Sequence, residues 1–418
     1  MDARRQKAHE LADRAQITFA DGCWSVPSQS GAGRYTVIVE DGAALCDCPD
    51  FELRGEPGKL CKHIMAVRLL IAREKRGVEQ DRENREPAPK VKRKTYPQSW
   101  AEYNAAQVNE QRHFPELLAD LCRTVEEPPR TGRGRRPIPL ADQAFAATMK
   151  VYSLFSARRF MGELELAVER GHVRGMHFNS VLNALENPAL TPVFHRLIQQ
   201  SSLPLRTVET TFAPDSSGFC TSRFIRWFDV KYGVTRETAE WVKVHLMTGT
   251  KTNIVTAAAI LGRDAADGPQ LPGLLETTAK GFTVKEVPAD KAYTSVVNYD
   301  AVDAAGGTLF APFKTNMTGA AGGVFEKMFH YFALRREEFL APYHQRSNVE
   351  STFSMMKRKF GDAVRSKTDT AMTNEVLAKI LAHNLCRLIA AWYELGIEPV
   401  FAPVPDEPPA TLPFVQRC

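Results

Sequence analysis

The spacing of apolar and polar residues changes character several times along the 418 residues. QITFA, CWSVPS and RYTVIVED alternate with the period of half-buried strands, and Asp21-Gly22 and Asp41-Gly42 supply turns between them. KHIMAVRLLIAREK follows with helical spacing and a basic end. From Arg76 the text becomes RGVEQDRENREPAPKVKRK, which is highly charged, has no aromatic residue and carries Pro87 and Pro89, the composition of a linker. Ser99 to Thr124 suits one or two helices and runs into EEPPRTGRGRRPIPL, a second tract rich in helix breakers. DQAFAATMKVYSLFSARRFMGELELAVERG and FNSVLNALENPALTPVFHRLIQQ again have helical periodicity. Then RFIRWFDVKYG and EWVKVHLMTGTKTNIVTAAAIL read as strand pairs, and FTVKEVPAD and TLFAPFK as further strands with helix-compatible text between them. Helical text resumes from Tyr343 to Leu395, and no internal repeat or low-complexity tract is present.

The length exceeds one ordinary hydrophobic core, so two to three domains are expected. Hydrophobic content of 44% and charged content of 25% place the chain among soluble globular proteins. A net charge of +5 permits a polyanionic partner without requiring one, so local charge has to decide. No apolar run approaches a membrane span, and MDARRQKAHELADRAQ has no apolar signal core, which makes a cytosolic location the simplest expectation. Of eight cysteines, Cys46, Cys48 and Cys61 fall close together and Cys23, Cys122, Cys220, Cys386 and Cys418 are scattered. That distribution suggests a metal site with free thiols, not a disulfide framework.

CDCPDFELRGEPGKLCKH sets Cys46, Cys48, Cys61 and His63 in the order C-x-C-x12-C-x-H. A C-x-C pair leaving a strand and a C-x-H pair opening a helix can offer four N and S ligands to one tetrahedral zinc ion. With four protein ligands no position is left for water, so the expected zinc is structural. The pattern, with CPDF and CKH in place, resembles the SWIM zinc finger. That resemblance implies contact with DNA or with a protein, a second copy of the chain included, and the sequence leaves these open.

In the C-terminal half, YHQRSNVESTFSMMKRK reads Tyr343-x2-Arg346-x3-Glu350-x6-Lys357. On one continuous helix at about 100° per residue, Arg346, Glu350 and Lys357 lie roughly 60°, 20° and 40° from Tyr343, a single narrow stripe. An aromatic ring, two cations and a carboxylate make a poor core face and a suitable surface for a metal ion and a phosphodiester. Upstream, Asp215 in TTFAPDSSGF and Asp290 in VKEVPADKAYTS each follow strand-like text. Taken singly, either aspartate reads equally well as a turn, cap or loop residue, and Asp300 competes for the second position. The Y-x2-R-x3-E-x6-K signature together with the two upstream aspartates resembles the DDE transposases of bacterial insertion sequences. The resemblance extends from about Asp142 to Gly396.

It implies an α/β fold: a ribonuclease H-like mixed-sheet catalytic domain, preceded by a helical region and, in this chain, by the small zinc-binding α/β module. The expected divisions are 1–75 for the zinc module, 76–98 for a charged linker, 99–141 for a helical segment with a basic Gly/Arg/Pro linker, 142–205 for a helical DNA-binding or dimerisation region, 206–396 for the catalytic domain and 397–418 for a Pro-rich tail. Asp215, Asp290 and Glu350 would be the catalytic triad and would hold two magnesium or manganese ions, Asp215 bridging both and the other two holding one each. Hard oxygen ligands suit such ions, and two of them 3.5–4 Å apart can serve both the attacking and the leaving oxygen of a phosphodiester. Tyr343, Arg346 and Lys357 would contact DNA. Transposon ends and target duplex are the implied partners, engaged by a homodimer in a bacterial, nucleoid-associated setting. Arg133 and Arg135 in RTGRGRRP are further DNA-binding candidates, since flexible arginines enter narrow minor grooves, although a plain basic linker explains the tract equally well. Two other functions stay open at this point: a catalytically silent DNA-binding or regulatory protein, and a nuclease of the same fold that cleaves without strand transfer.

Overall fold

The computed structural model describes residues 3–20, 22–29, 31, 33–40, 43–52, 60–83, 99–129, 134, 136–221, 241–262 and 264–401. Arg133, Arg135, the basic run Lys90 to Lys94, Trp227 and the tail from 402 onward lie outside them. The chain divides into two compact units, Met1–Pro97 and Gln98–Cys418.

In the first unit, helix α1 (Ala3–Arg14) precedes strands β1 (Thr18–Ala20), β2 (Cys23–Pro27), β3 (Arg34–Glu40) and β4 (Ala43–Cys46). These form an antiparallel meander in sequence order. A short helix α2 (Pro49–Glu52) and a long one, α3 (Lys62–Glu83), complete it. The β1–β2 turn passes through Gly22 at φ +80°, a conformation that a side chain would strain. Strand alternation buries Val26 and Val37 against Ile64 and Val67 of α3, which also packs on Ala8 and Leu11 of α1. Composition alone places the end of this module at residue 75. In the structure α3 continues to Glu83, because the Arg, Glu and Gln of the charged tract are good helix formers.

The second unit opens with five helices: α4 (Trp100–Cys122), α5 (Leu140–Ser153), α6 (Ala157–Glu169), α7 (Phe178–Glu186) and α8 (Leu190–Ser202). Strands β5 (Phe212–Cys220), β6 (Trp241–Gly249) and β7 (Val255–Leu261) are antiparallel neighbours, and β8 (Glu286–Pro288) and β9 (Thr308–Phe310) are parallel neighbours. A parallel bridge, Thr211 to Glu286, joins the root of β5 to that of β8, giving the spatial order β7-β6-β5-β8-β9. Three antiparallel strands continued by two parallel ones is the sheet expected of a ribonuclease H-like domain. Helices α9 (Leu271–Ala279), α10 (Val296–Ala304), α11 (Gly323–Leu334), α12 (Arg336–Tyr343), α13 (Ser347–Phe360) and α14 (Asp369–Leu395) complete the unit.

Each face of the sheet has its own core. Ala213, Phe219, Val244 and Leu246 join the helices α4, α5, α8, α13 and α14, whereas Phe212 and Met247 join α9, α10 and the parallel strands. The helices before residue 205 are therefore not a separate body. Phe114, Phe145 and Phe194 share one continuous core with β5 and α14. α14 is the spine of that core: it is capped by Thr368, ends at Gly396 in the left-handed conformation, and is buried along most of its length. Its fully buried Asn384 accepts from the Val255 amide (2.9 Å) and donates to the Val255 carbonyl (2.7 Å), tying helix to sheet. Among the described residues no helix is long and apolar enough to cross a membrane.

The β6–β7 turn is held by a buried carboxylate. Glu209 Oε1 accepts from the amides of Lys251 (3.0 Å) and Thr252 and from Thr252 Oγ1 (2.7 Å). A Cβ on Gly249 would come within 2.6 Å of the Glu209 carboxyl carbon, so glycine is required there. Glu209→Ala leaves these donors unmatched in the interior. The expected loss is about 2–4 kcal/mol of unfolding free energy, read as a lower urea midpoint at unchanged slope.

Candidate active site and zinc centre

The Thr211–Glu286 bridge sets two acids level with each other. Asp215 lies four residues past Thr211 and Asp290 four past Glu286, on strands running the same way. An even offset in extended chain returns the side chain to the starting face. That face is marked by Thr211 Oγ1 donating to Glu286 Oε2 at 3.3 Å. β8 formally ends at Pro288, but Asp290 remains extended (φ −70°, ψ 163°) and its carboxylate accepts from the Lys291 amide at 2.6 Å, capping a 3-10 turn over Lys291–Tyr293.

Glu350 arrives from α13, which packs across β5. Its side chain is 59% exposed and accepts a 2.8 Å bond from Arg346 Nη2. The Arg346 guanidinium is held above its ordinary pKa by Tyr343, Asp290, Glu350 and Asp215, against the effect of burial. Of the three acids only Glu350 bonds to this cation among the described residues, while the charges of Asp290 and Asp215 act on it through space. Asp215 is pushed up, first by burial and further by Glu350 and Asp267, with the Ser216 amide and Arg346 pulling the other way. The ligand atoms of the three carboxylates do not all lie within 4.8 Å of one another. Among the described residues, the one His/Cys/Asp/Glu group whose ligand atoms all lie within 4.8 Å of one another is the cysteine–histidine cluster.

The single helical stripe expected of Tyr343, Arg346, Glu350 and Lys357 is interrupted. α12 ends at Tyr343, His344–Arg346 form a 3-10 turn, and α13 starts at Ser347. Pro342 lies inside α12 and removes one bond of its ladder, and the His344 amide bonds to both the Leu340 and the Pro342 carbonyls as the chain tightens. Lys357 reaches back onto β5: its Nζ donates to Ser217 Oγ at 2.7 Å and lies 5.5 Å from the centre of the Phe219 ring. Ser217 is two residues beyond Asp215, so Lys357 borders the acid site on the same face. Lys359 is not a solvated cation, being ion-paired with the buried Glu110.

Sequence reasoning missed the residues that anchor α13. Asn348 Nδ2 donates to the Thr250 carbonyl (2.7 Å), and Thr352 Oγ1 donates to Asn253 Oδ1 (3.2 Å). Asn253 has φ +62°, and its carbonyl accepts from His383 Nε2 at 2.8 Å. Burial pulls His383 down to about 3, so the ring is neutral. The available signal was two polar residues at i and i+4 on one side of the signature helix.

In the first unit, Cys46 ends β4, Cys48 opens the turn into α2, Cys61 precedes α3 and His63 lies in its first turn. All four are buried, with ligand atoms mutually within 4.8 Å. Cys46 Sγ and His63 Nδ1 are 3.9 Å apart, close to the roughly 3.5–3.8 Å edge of a tetrahedron with ordinary zinc–ligand bonds. Cys61 is drawn down to about 4, chiefly by a hydrogen bond from Cys46, with His63 and the Ile64 amide assisting against burial, and Cys46 is correspondingly raised. A thiolate at a helix N-terminus beside two further thiols and an imidazole fits zinc. The Tyr35 ring packs on His63 at 4.7 Å and fixes its plane.

Residues 206–385 match the transposase DDE domain, and residues 35–69 match the SWIM zinc finger. The chain thus carries a transposase DDE domain, with a SWIM zinc finger ahead of it. Comparison with curated proteins gave no significant match. Among solved structures, a piggyBac transposase synaptic complex with hairpin DNA aligns with 74% of this chain and 78% of its own at 9% identity and a TM-score of 0.33.

Proposed function

We propose that this chain is a DNA transposase that cleaves the ends of an insertion sequence and joins them to a target, with Asp215, Asp290 and Glu350 as catalytic carboxylates. The observation that carries the reading is the level placement of Asp215 and Asp290 beyond the Thr211–Glu286 bridge, with Glu350 facing them across Arg346. The donor set is all oxygen, and the burdened Asp215 carboxylate gains from a neighbouring dication, so the residues fit magnesium or manganese. When bound, two such ions would activate an oxygen nucleophile and stabilise the leaving oxygen. Asp215 is held by β5, Asp290 by its bond to the Lys291 amide, and Glu350 by Arg346. Lys357, braced on Ser217, supplies positive charge beside the acids where a flanking phosphate would lie, and Tyr343 and Arg346 border the same place. The zinc module, with one structural ion, is a second contact for DNA or for another protein, and the assembly on paired ends is a homodimer.

The test uses purified protein with magnesium, plasmid target and DNA carrying the terminal inverted repeats that flank the reading frame. Nicked ends and joined products are expected. Nicking without joining would indicate a nuclease, and end binding without either product would indicate a silent DNA-binding protein.

A further inference from the structure

Successive residues of β5 face opposite sides of the sheet. Asp215 faces the α13 side, and Ser216 faces the other, opposite His245 of β6 in the strand register. There Ser216 Oγ donates to Asp267 Oδ1 at 3.0 Å. The same oxygen receives Lys243 Nζ at 2.7 Å and lies 3.6 Å from His245 Nδ1. Asp267 belongs to the segment between β7 and α9, and its bond to Ser216 ties that segment to β5.

Ser216, Lys243 and Asp267 are half-buried, and His245 beneath them is in the interior. His245 is fully buried, and among the described residues neither of its ring nitrogens nor the buried Tyr293 hydroxyl makes a hydrogen bond, Asp267 lying at 3.6 Å from His245 Nδ1. Tyr293 lies three residues after Asp290, and its phenol is raised first by burial and further by the charges of Asp267, Asp215 and Asp290. Unpaired buried polar groups of this kind are uncommon in folded proteins and point to ordered water or a functional constraint. Asp267 thus bonds to the residue next to Asp215 and is itself paired with a lysine of the neighbouring strand.

We propose that Asp267 is a positioning residue for Asp215: gripping Ser216 and braced by Lys243, it fixes the twist of β5 so that the Asp215 carboxylate keeps the orientation needed to hold a divalent cation. The inference rests on the reading of Asp215 as a metal-holding carboxylate. Outer contacts of this type, when removed, lower metal affinity by about 10–100-fold.

The experiment measures Mn2+ binding to the full-length, zinc-loaded protein by electron paramagnetic resonance, without DNA, alongside thermal melting and an Mn2+ titration of end nicking. Wild type, Asp215→Asn, Asp267→Asn and Ser216→Ala are compared. Asp267→Asn is expected to weaken Mn2+ binding about tenfold and to raise the half-saturating Mn2+ for nicking by about the same factor, with the saturated rate changed less than about threefold. Ser216→Ala, a minimal change, shifts binding the same way by a smaller factor and decides the matter if Asp267→Asn fails to fold. Wild-type Mn2+ affinity in both Asp267→Asn and Ser216→Ala, with Asp215→Asn impaired, overturns the positioning role and leaves the triad intact. Wild-type affinity in Asp215→Asn overturns the triad and the inference with it.

Discussion

Asp215→Asn is expected to reduce end nicking by about a thousandfold or more, equivalent to about 4 kcal/mol of barrier, while the protein melts at the same or a higher temperature. The two halves of this result have one cause. Asp215 is half-buried beside Glu350 and Asp267, so the ionised form is disfavoured in the folded chain and its pKa stands above the ordinary carboxylate value. A carboxylic acid raised by folding adds stability below its unfolded pKa, and that contribution is lost as pH rises through the folded value. At pH 7.5 the ionised Asp215 is therefore a net strain on the fold in magnesium-free buffer, and the neutral amide relieves it. A rise of about 1–3 °C by calorimetry is the expected size for a unit this long. An inactive variant that melted well below wild type would indicate misfolding and leave the assignment without support. Undiminished nicking would remove Asp215 from the reaction.

The parts of this site that were legible in the sequence are those fixed by local rules. Asp215 and Asp290 each follow a short apolar strand, Glu350 lies on a helix at fixed spacing from Arg346, and the four zinc ligands form two tight pairs at a strand end and a helix start. What stayed hidden depends on contacts between distant segments. Asn348 meets Thr250 across 98 positions, and Lys359 meets Glu110 across 249. No periodicity reports such pairs. Asp267 was invisible for the same reason, since its partners Ser216 and Lys243 come from two other strands. The unity of the helical region with the sheet was equally out of reach. Amphipathic helices announce that one face is buried but not against what, and here α14 supplies the shared interior. The 3-10 turn at His344–Arg346 was not legible either, because the regular spacing of the signature suggested one uninterrupted helix.

Removal of zinc is expected to unfold the first unit alone. Its core contains Val26, Val37, Ile64, Ala66, Val67, Ala8 and Leu11, and the remaining buried members are Cys46, Cys48 and Cys61 themselves. Three of the ten buried core residues belong to the proposed zinc site, so on that reading a large share of what holds β4 to α3 would pass through the ion. Structural zinc sites supply about 10–16 kcal/mol of apparent binding free energy, more than the few kcal/mol that so small an apolar core provides. Chelation, or Cys61→Ser, should therefore make Met1–Pro97 a rapid substrate for limited proteolysis, with cleavage faster by about a hundredfold or more, and should lower bound zinc from about one per chain. The Gln98–Cys418 unit holds none of these ligands and has its own two cores, so its melting transition should not move. Full zinc content in a Cys46→Ser, Cys61→Ser double variant would contradict the ligand set, and unchanged protease resistance after complete metal removal would show that the meander and its helices stand without the ion.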